Sequence, residues 1–137
     1  MRIEAIDHLD DPRVDDYRVL KEAALLLDRG VFIAEGRLVV ERLLEPGNRF
    51  AIKSMLVTPA RLEALREAIE ASGKDPLIYV VERERMDQVV GFRFHQGVVA
   101  AGRIGPGLGV DDVVAHAIGS GARVARTMLV AMEDLVD

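Results

Sequence analysis

A chain of 137 residues, half of them hydrophobic, can bury one sizeable core, and one compact domain is its default organisation. No apolar run approaches the roughly 18–20 residues that cross a bilayer, and the opening MRIEAIDHLDD is too acidic and broken for a signal peptide, so no membrane role is expected. Cysteine is absent, which excludes disulfides and thiolate metal sites and fits a reducing, cytoplasmic compartment, while the formal charge of −5 argues against holding nucleic acid by charge alone.

In chain order, DPRVDDYRVLKEAALLLDRG reads as a helix: Asp11 stands at the N-cap before Pro12, Asp15 and Asp16 suit the first-turn dipole, and Gly30 closes it. Val31–Ala34 is a short β-rich run, expected to be buried on both faces. Gly36 breaks it, and RLVVERLLE places Leu38, Val39, Arg42 and Leu43 in helical rhythm until Pro46-Gly47-Asn48. Ile52–Val57 is a second strand. Thr58-Pro59 then opens a helix whose apolar face is Leu62, Leu65 and Ile69.

Leu77–Val81 is a third strand, RERMDQVVG a short helix closed by Gly91, and Val98–Ala101 a fourth strand. Short strands alternating with helices about ten residues long predict an α/β fold, with helices on both sheet faces, over roughly Asp11 to Arg103. GRIGPGLGV, with four glycines and a proline, reads as a linker. A short helix follows over Asp111–Ile118, and Thr127–Met132 reads as a final apolar strand.

The charge is unevenly spread: residues 1–11 and 111–137 each carry −3, leaving +1 over residues 12–110, where Arg far outnumbers Lys. Arg is the better bidentate phosphate ligand, although base composition alone also produces such a bias. GPGLG lacks the spacing of a dinucleotide fingerprint, and the turn around Ser120 lacks the flanks of a nucleophile elbow. His8, His95 and His116 have no partner at helical metal-ligand spacing.

Two stretches carry more. Glu35-Gly36-Arg37 stands where a buried strand gives way to a helix; glycine there permits close backbone approach, and helix N-terminal amides suit phosphate. The simple alternative is that Glu35 caps the helix. In GFRFHQGVV, Arg93, His95 and Gln96 are polar groups between two aromatics and a buried strand. Gln reads base edges, Arg binds phosphate and His stacks on unpaired bases, as in recognition of looped RNA. Phe92 and Phe94 are expected in the core, and His95 and Gln96 at the functional surface.

GVFIAEGRLVVERLL, SMLVTPARLEAL, FRFHQGVVAAG and LVAMEDLVD together resemble the N-terminal part of the SpoU/TrmH family of RNA ribose 2′-O-methyltransferases. The resemblance covers nearly the whole chain. It implies a three-layer α/β/α sandwich like the kink-turn-binding ribosomal-protein fold, followed by a linker and one extra strand. By this resemblance residues 1–103 are an RNA substrate-binding domain, 104–123 a linker with a short helix, and 124–137 the first strand of a knotted methyltransferase domain. The catalytic Asn and Arg motif and the cofactor glycines of that domain are not matched.

The chain is therefore expected to be a fragment or truncated product, inactive alone, whose full-length parent uses S-adenosylmethionine. The resemblance implies an RNA grip, on ribosomal or transfer RNA, at Glu35, Gly36 and Arg37 and at Arg93, His95, Gln96 and Gly97. Arg42, about one helical turn after Arg37, and Lys53 are flanking phosphate contacts in the same expectation. None of these is a catalytic residue. Residues 127–132, an apolar strand costly to leave in water, are expected to pack against a neighbouring copy, giving self-association, or to fold back onto their own domain. Two other readings stand beside this one: a stand-alone binder of structured RNA, and a dimerisation module without an RNA role.

Overall fold

The computed structural model describes residues 1–119. The chain forms two compact units, Met1–Gly105 and Pro106–Asp137. The first is built on a five-stranded sheet: β1 (Arg2–Ala5), β2 (Val31–Glu35), β3 (Ile52–Val57), β4 (Leu77–Val80) and β5 (Val98–Arg103), in the order β1-β4-β3-β5-β2. β4 runs parallel to β1 and β3, whereas β5 runs antiparallel to both β3 and β2. Hence β2, β3 and β4 all finish at the sheet end where β5 begins.

Successive strand residues point to opposite faces, and the core divides accordingly. Leu56, Tyr79, Val99 and Ala101 face one layer, formed by α1 (Asp15–Arg18), α2 (Ala23–Asp28) and α5 (Arg83–Val90), with Tyr17, Leu26, Met86 and Phe94 in its core. Met55, Val57, Ile78, Val98 and Ala100 face the other, formed by α3 (Arg37–Leu44) and α4 (Pro59–Ala71), with Val40, Leu44, Leu65 and Ile69. This is the three-layer α/β/α sandwich expected from the alternation.

Its interior polar groups are satisfied. The buried Tyr17 hydroxyl is 2.6 Å from Ser54 Oγ, and burial raises the phenol's pKa. No buried side-chain nitrogen or oxygen among the described residues lacks a partner. No helix among them is long and apolar enough to cross a membrane. In the second unit, α6 (Val110–Gly119) forms close to where the short helix was read, and the Gly109 amide donates to Asp112 Oδ2 at 2.8 Å. The expected strand and self-association segment at 127–132 lie outside the described residues.

Four expectations are corrected. The domain starts at β1, not near Asp11: Ile3 pairs with Ile78, and the Ile6 amide donates to the Val80 carbonyl at 3.1 Å. The long N-terminal helix is a 3-10 turn (Pro12–Val14), then α1 and α2, interrupted at residues 19–22. At 100° per residue an unbroken helix would set Tyr17 and Leu26 about 180° apart, and the break lets both enter one core.

β2, expected to be buried on both faces, lies at the edge of the sheet. Helices still cover it, with Val31 and Ala34 buried and Phe32 and Ile33 half-buried. In α3 the buried face is Val40, Leu43 and Leu44, which leaves Leu38 71% and Val39 51% exposed. Of Leu38, Val39, Arg42 and Leu43, read together in helical rhythm, only Leu43 lies on the buried face.

Candidate nucleic-acid interface

Because β2, β3 and β4 end together, the three helices that follow them start at one end of the sheet. In open α/β sheets, ligands bind at the carboxyl ends of the strands. Each of these helices carries an arginine in its first turn: Arg37 opens α3, Arg61 is the third residue of α4, and Arg83 opens α5. A cation there opposes the helix dipole, so all three positions carry a local cost that an anionic ligand offsets.

The connection from Gly91 to β5 crosses this end, and its backbone is pinned residue by residue. The Phe94 amide donates to Asp87 Oδ1 at 2.8 Å, and the Phe94 ring is buried against Phe92. Arg83 Nη1 donates to the carbonyls of Phe94 (3.1 Å) and His95 (3.4 Å), and Arg61 Nε donates to that of Gln96 (3.0 Å). The Thr58 amide donates to the Gly97 carbonyl at 3.0 Å; Thr58 stands at the N-cap position of α4, but its side chain makes no cap bond and its hydroxyl turns to the same carbonyl at 3.4 Å, so the residue ties β3 to the loop. With its backbone held inward, the loop leaves Arg93, His95 and Gln96 exposed.

Gly97 is buried at the centre of this arrangement, with φ of +70°. A Cβ on it would meet Arg61, Arg83 and Thr58 side-chain atoms at 3.1–3.2 Å. Gly36 is also buried and begins α3 with φ 85° and ψ 160°, a region open essentially to glycine alone. No side chain caps α3, so the alternative role for Glu35 as its cap is not what forms. Instead the Gln96 side chain lies over Gly36, and Glu35, Gly36, Arg37, Leu38, Val39 and Gln96 line an open hollow of about 250 Å³.

The two stretches singled out in the sequence thus meet. Arg37 is half exposed and sits 3.6 Å from Glu41, a loose pair; Arg93 has no ion-pair partner among the described residues. Arg42 lies further along α3, 2.9 Å from Glu45, beside the exposed Leu38 and Val39. Lys53 is not brought to this end. It stands at the start of β3, about 16 Å along the strand from Thr58 at the usual rise per residue, with its Nζ 2.6 Å from Asp16 Oδ2.

Arg61, Arg83, Thr58 and Asp87 belong to the site and were not singled out from the sequence. The signal available was arginine recurring in the first turn of the helices that follow β2, β3 and β4.

The fold matches that of two structures of an rRNA methyltransferase from Sinorhizobium meliloti. One, described as AdoMet bound, has a TM-score of 0.51 at 20% identity, covering 74% of this chain and 36% of that one. The other has a TM-score of 0.52 at 20% identity, covering 75% and 38%. Among curated proteins, a tRNA/rRNA methyltransferase of Mycobacterium bovis and one of Mycobacterium tuberculosis are each 37% identical over 112 residues, 79% of this chain. The chain spans 38% of the length of these relatives. The family model for RNA 2′-O ribose methyltransferase substrate binding matches residues 33–103, from within β2 to the end of β5. That match covers more than half of the chain and holds both stretches of the site, and the protein belongs to this substrate-binding family.

Proposed function

We propose that residues 1–103 hold folded RNA, ribosomal or transfer RNA, for a ribose 2′-O-methyltransferase, gripping it at the sheet end where α3, α4 and α5 begin. The observation that carries this reading is the convergence of Arg37, Arg61, Arg83 and Arg93 from four segments, around a loop that holds His95 and Gln96 outward. The arginines bind backbone phosphate, bidentately where geometry allows. Gln96 offers an amide to a base edge and His95 a ring for an unpaired base, while the buried Gly36 and Gly97 let the β2 turn and the loop pack closely enough to set these groups side by side.

S-adenosylmethionine enters only as the cofactor of the whole enzyme, where it supplies the methyl group. The hollow at Glu35 and Gln96 does not fit it: about 250 Å³ is below the roughly 300–1,000 Å³ of small-molecule sites, and it is open to solvent. The residues of this interface bind and orient RNA in this reading, and none takes part in the transfer.

The test is a fluorescence-anisotropy titration with labelled hairpin fragments of ribosomal and transfer RNA at several salt concentrations. Wild type is expected to bind one class with a negative salt slope. Arg37→Ala or Arg93→Ala is expected to weaken binding and flatten that slope by about 0.7–0.9 for each phosphate no longer neutralised. Absence of salt-dependent binding to either class overturns the reading.

A further inference from the structure

Arg61 and Arg83 differ from most arginines of this chain in what they hold. Arg13, Arg18, Arg29, Arg42 and Arg66 all pair with carboxylates. Arg61 and Arg83 have no carboxylate partner among the described residues and donate to three consecutive main-chain carbonyls, those of Phe94, His95 and Gln96. They do so from two helices on opposite faces of the sheet, α4 and α5. Between them lies Gly97, where a Cβ would press on the Arg61 stem at Cγ (3.1 Å), the Arg83 guanidinium at Nη2 (3.1 Å) and Thr58 Oγ1 (3.2 Å).

A loop held by its carbonyls from both layers has few conformations left to lose on binding. Rigidifying a binding loop in advance raises affinity by removing that ordering cost. Each arginine uses one nitrogen, Arg61 Nε and Arg83 Nη1, and the planar guanidinium holds that donor at a fixed angle to its stem, so that Arg83 Nη1 reaches two successive carbonyls. A lysine brings the same charge as a freely rotating point donor on a shorter reach.

We propose that Arg61 and Arg83 are positioning residues of the RNA site, a bracket that fixes the 94–97 loop so that His95 and Gln96 present their side chains before RNA arrives. The proposal rests on the RNA-binding reading above and assigns these two arginines a role beyond their charge. Charge alone would make lysine an adequate replacement at both positions; a bracket would not.

The test uses the full chain and the variants Arg61→Lys, Arg83→Lys and the double substitution, with amide hydrogen exchange in the free protein and RNA titration over salt. The amides to follow are Phe94 and Thr58, whose hydrogen bonds anchor the two ends of the loop. Each lysine variant is expected to accelerate exchange at these amides and to weaken RNA binding on the order of tenfold, the loss of about one charge-assisted hydrogen bond, with the salt slope unchanged. The double variant should lose more than either single one.

Exchange at both amides equal to wild type in the lysine variants overturns the bracket, as does lysine preserving full affinity. If Arg83→Lys lowers the melting temperature, Arg61→Lys, which gives up a single hydrogen bond, carries the test. Failure of wild type to bind RNA would sink the RNA-binding reading and with it any positioning role for RNA, whereas bound wild type with unaltered lysine variants would sink the bracket alone.

Discussion

The Gln96 side chain occupies the space in which a Cβ on Gly36 would project, with Oε1 3.1 Å and Cδ 3.3 Å from that position. The strand-to-helix turn after β2 and the loop before β5 therefore interlock, and the Gly36 amide adds a main-chain bond to the Val98 carbonyl at 3.1 Å. Gly36→Ala has to leave a backbone conformation that L-residues rarely adopt and also push Gln96 aside. The expected cost is about 1–3 kcal/mol in urea denaturation, together with a shift of the Gln96 side-chain amide resonances.

Much of this could be read from residue order, and what could not has physical causes. The runs that became β3, β4 and β5 are apolar enough on both faces to declare themselves, and Thr58-Pro59 and Gly91 mark helix ends by chemistry that acts within a few residues. β1 escaped because Arg2-Ile3-Glu4-Ala5 has one large apolar side chain, and its pairing with β4 lies some seventy residues away in sequence. Local pattern also cannot say where a strand sits in a sheet, so the apolar run of β2 gave no sign that it is an edge strand, covered by helices. At the site, Arg37, Arg93, His95 and Gln96 stood out because they interrupt apolar segments. Arg61 and Arg83 look like ordinary helix-surface arginines until topology sets the loop carbonyls beside them.

The Cζ end of the Phe32 ring reaches over Gly102 on the neighbouring strand, and a Cβ on Gly102 would overlap Cζ and both Cε atoms. Phe32 is also edge-on to Phe50, with ring centroids 5.1 Å apart, so it has little room to retreat. Gly102→Ala is expected to destabilise the domain by about 1–3 kcal/mol through overpacking. Pairing it with Phe32→Leu should recover part of that loss, and a double-mutant cycle on thermal or urea unfolding measures the coupling.

The N-terminal strand belongs to the cooperative unit. Ile6 is 1% exposed, and its carbonyl accepts from Arg85 Nη1 at 3.0 Å, linking the end of β1 to α5. Ile6→Ala should cost about 2–5 kcal/mol, as for other buried aliphatic truncations, with one transition by circular dichroism and fluorescence. Loss of β1 alone, with the remaining sheet unaffected, would show that the strand is merely appended.

Acid should loosen the same region. Arg13 donates to both Asp11 oxygens, Nε to Oδ1 at 3.0 Å and Nη2 to Oδ2 at 2.6 Å, and Nη1 donates to Glu4 Oε2 at 2.6 Å. The Arg13 side chain, then its backbone amide, lower the Asp11 carboxyl from 3.8 to about 2, and Arg13 also lowers Glu4. A depressed folded-state pKa contributes stability above the unfolded value and loses it as pH falls through the folded one. The clamp is thus complete above about pH 4 and lost between about pH 4 and 2. Carboxyl NMR titration should find Asp11 near 2 and, in Arg13→Ala, returned toward 3.8.

The two ends of the sheet should separate cleanly under mutation. Asp16 is buried between Lys53 Nζ at 2.6 Å and Arg29 Nη1 at 3.1 Å, joining α1 to the start of β3 and the end of α2. Lys53 places its charge there, at the end of β3 remote from Thr58 and the loop. Lys53→Met keeps most of the aliphatic stem while removing one of the two cations that face a nearly buried carboxylate. It should cost about 1–3 kcal/mol of stability and leave RNA affinity and salt slope unchanged. Arg93→Ala should do the reverse, because its exposed side chain has no ion-pair partner among the described residues: stability within about 0.5 kcal/mol of wild type, and weaker, less salt-dependent RNA binding. Parallel urea titrations and anisotropy measurements on the two variants decide the matter, and an equal loss of RNA affinity in Lys53→Met would extend the RNA surface around the sheet to its far end.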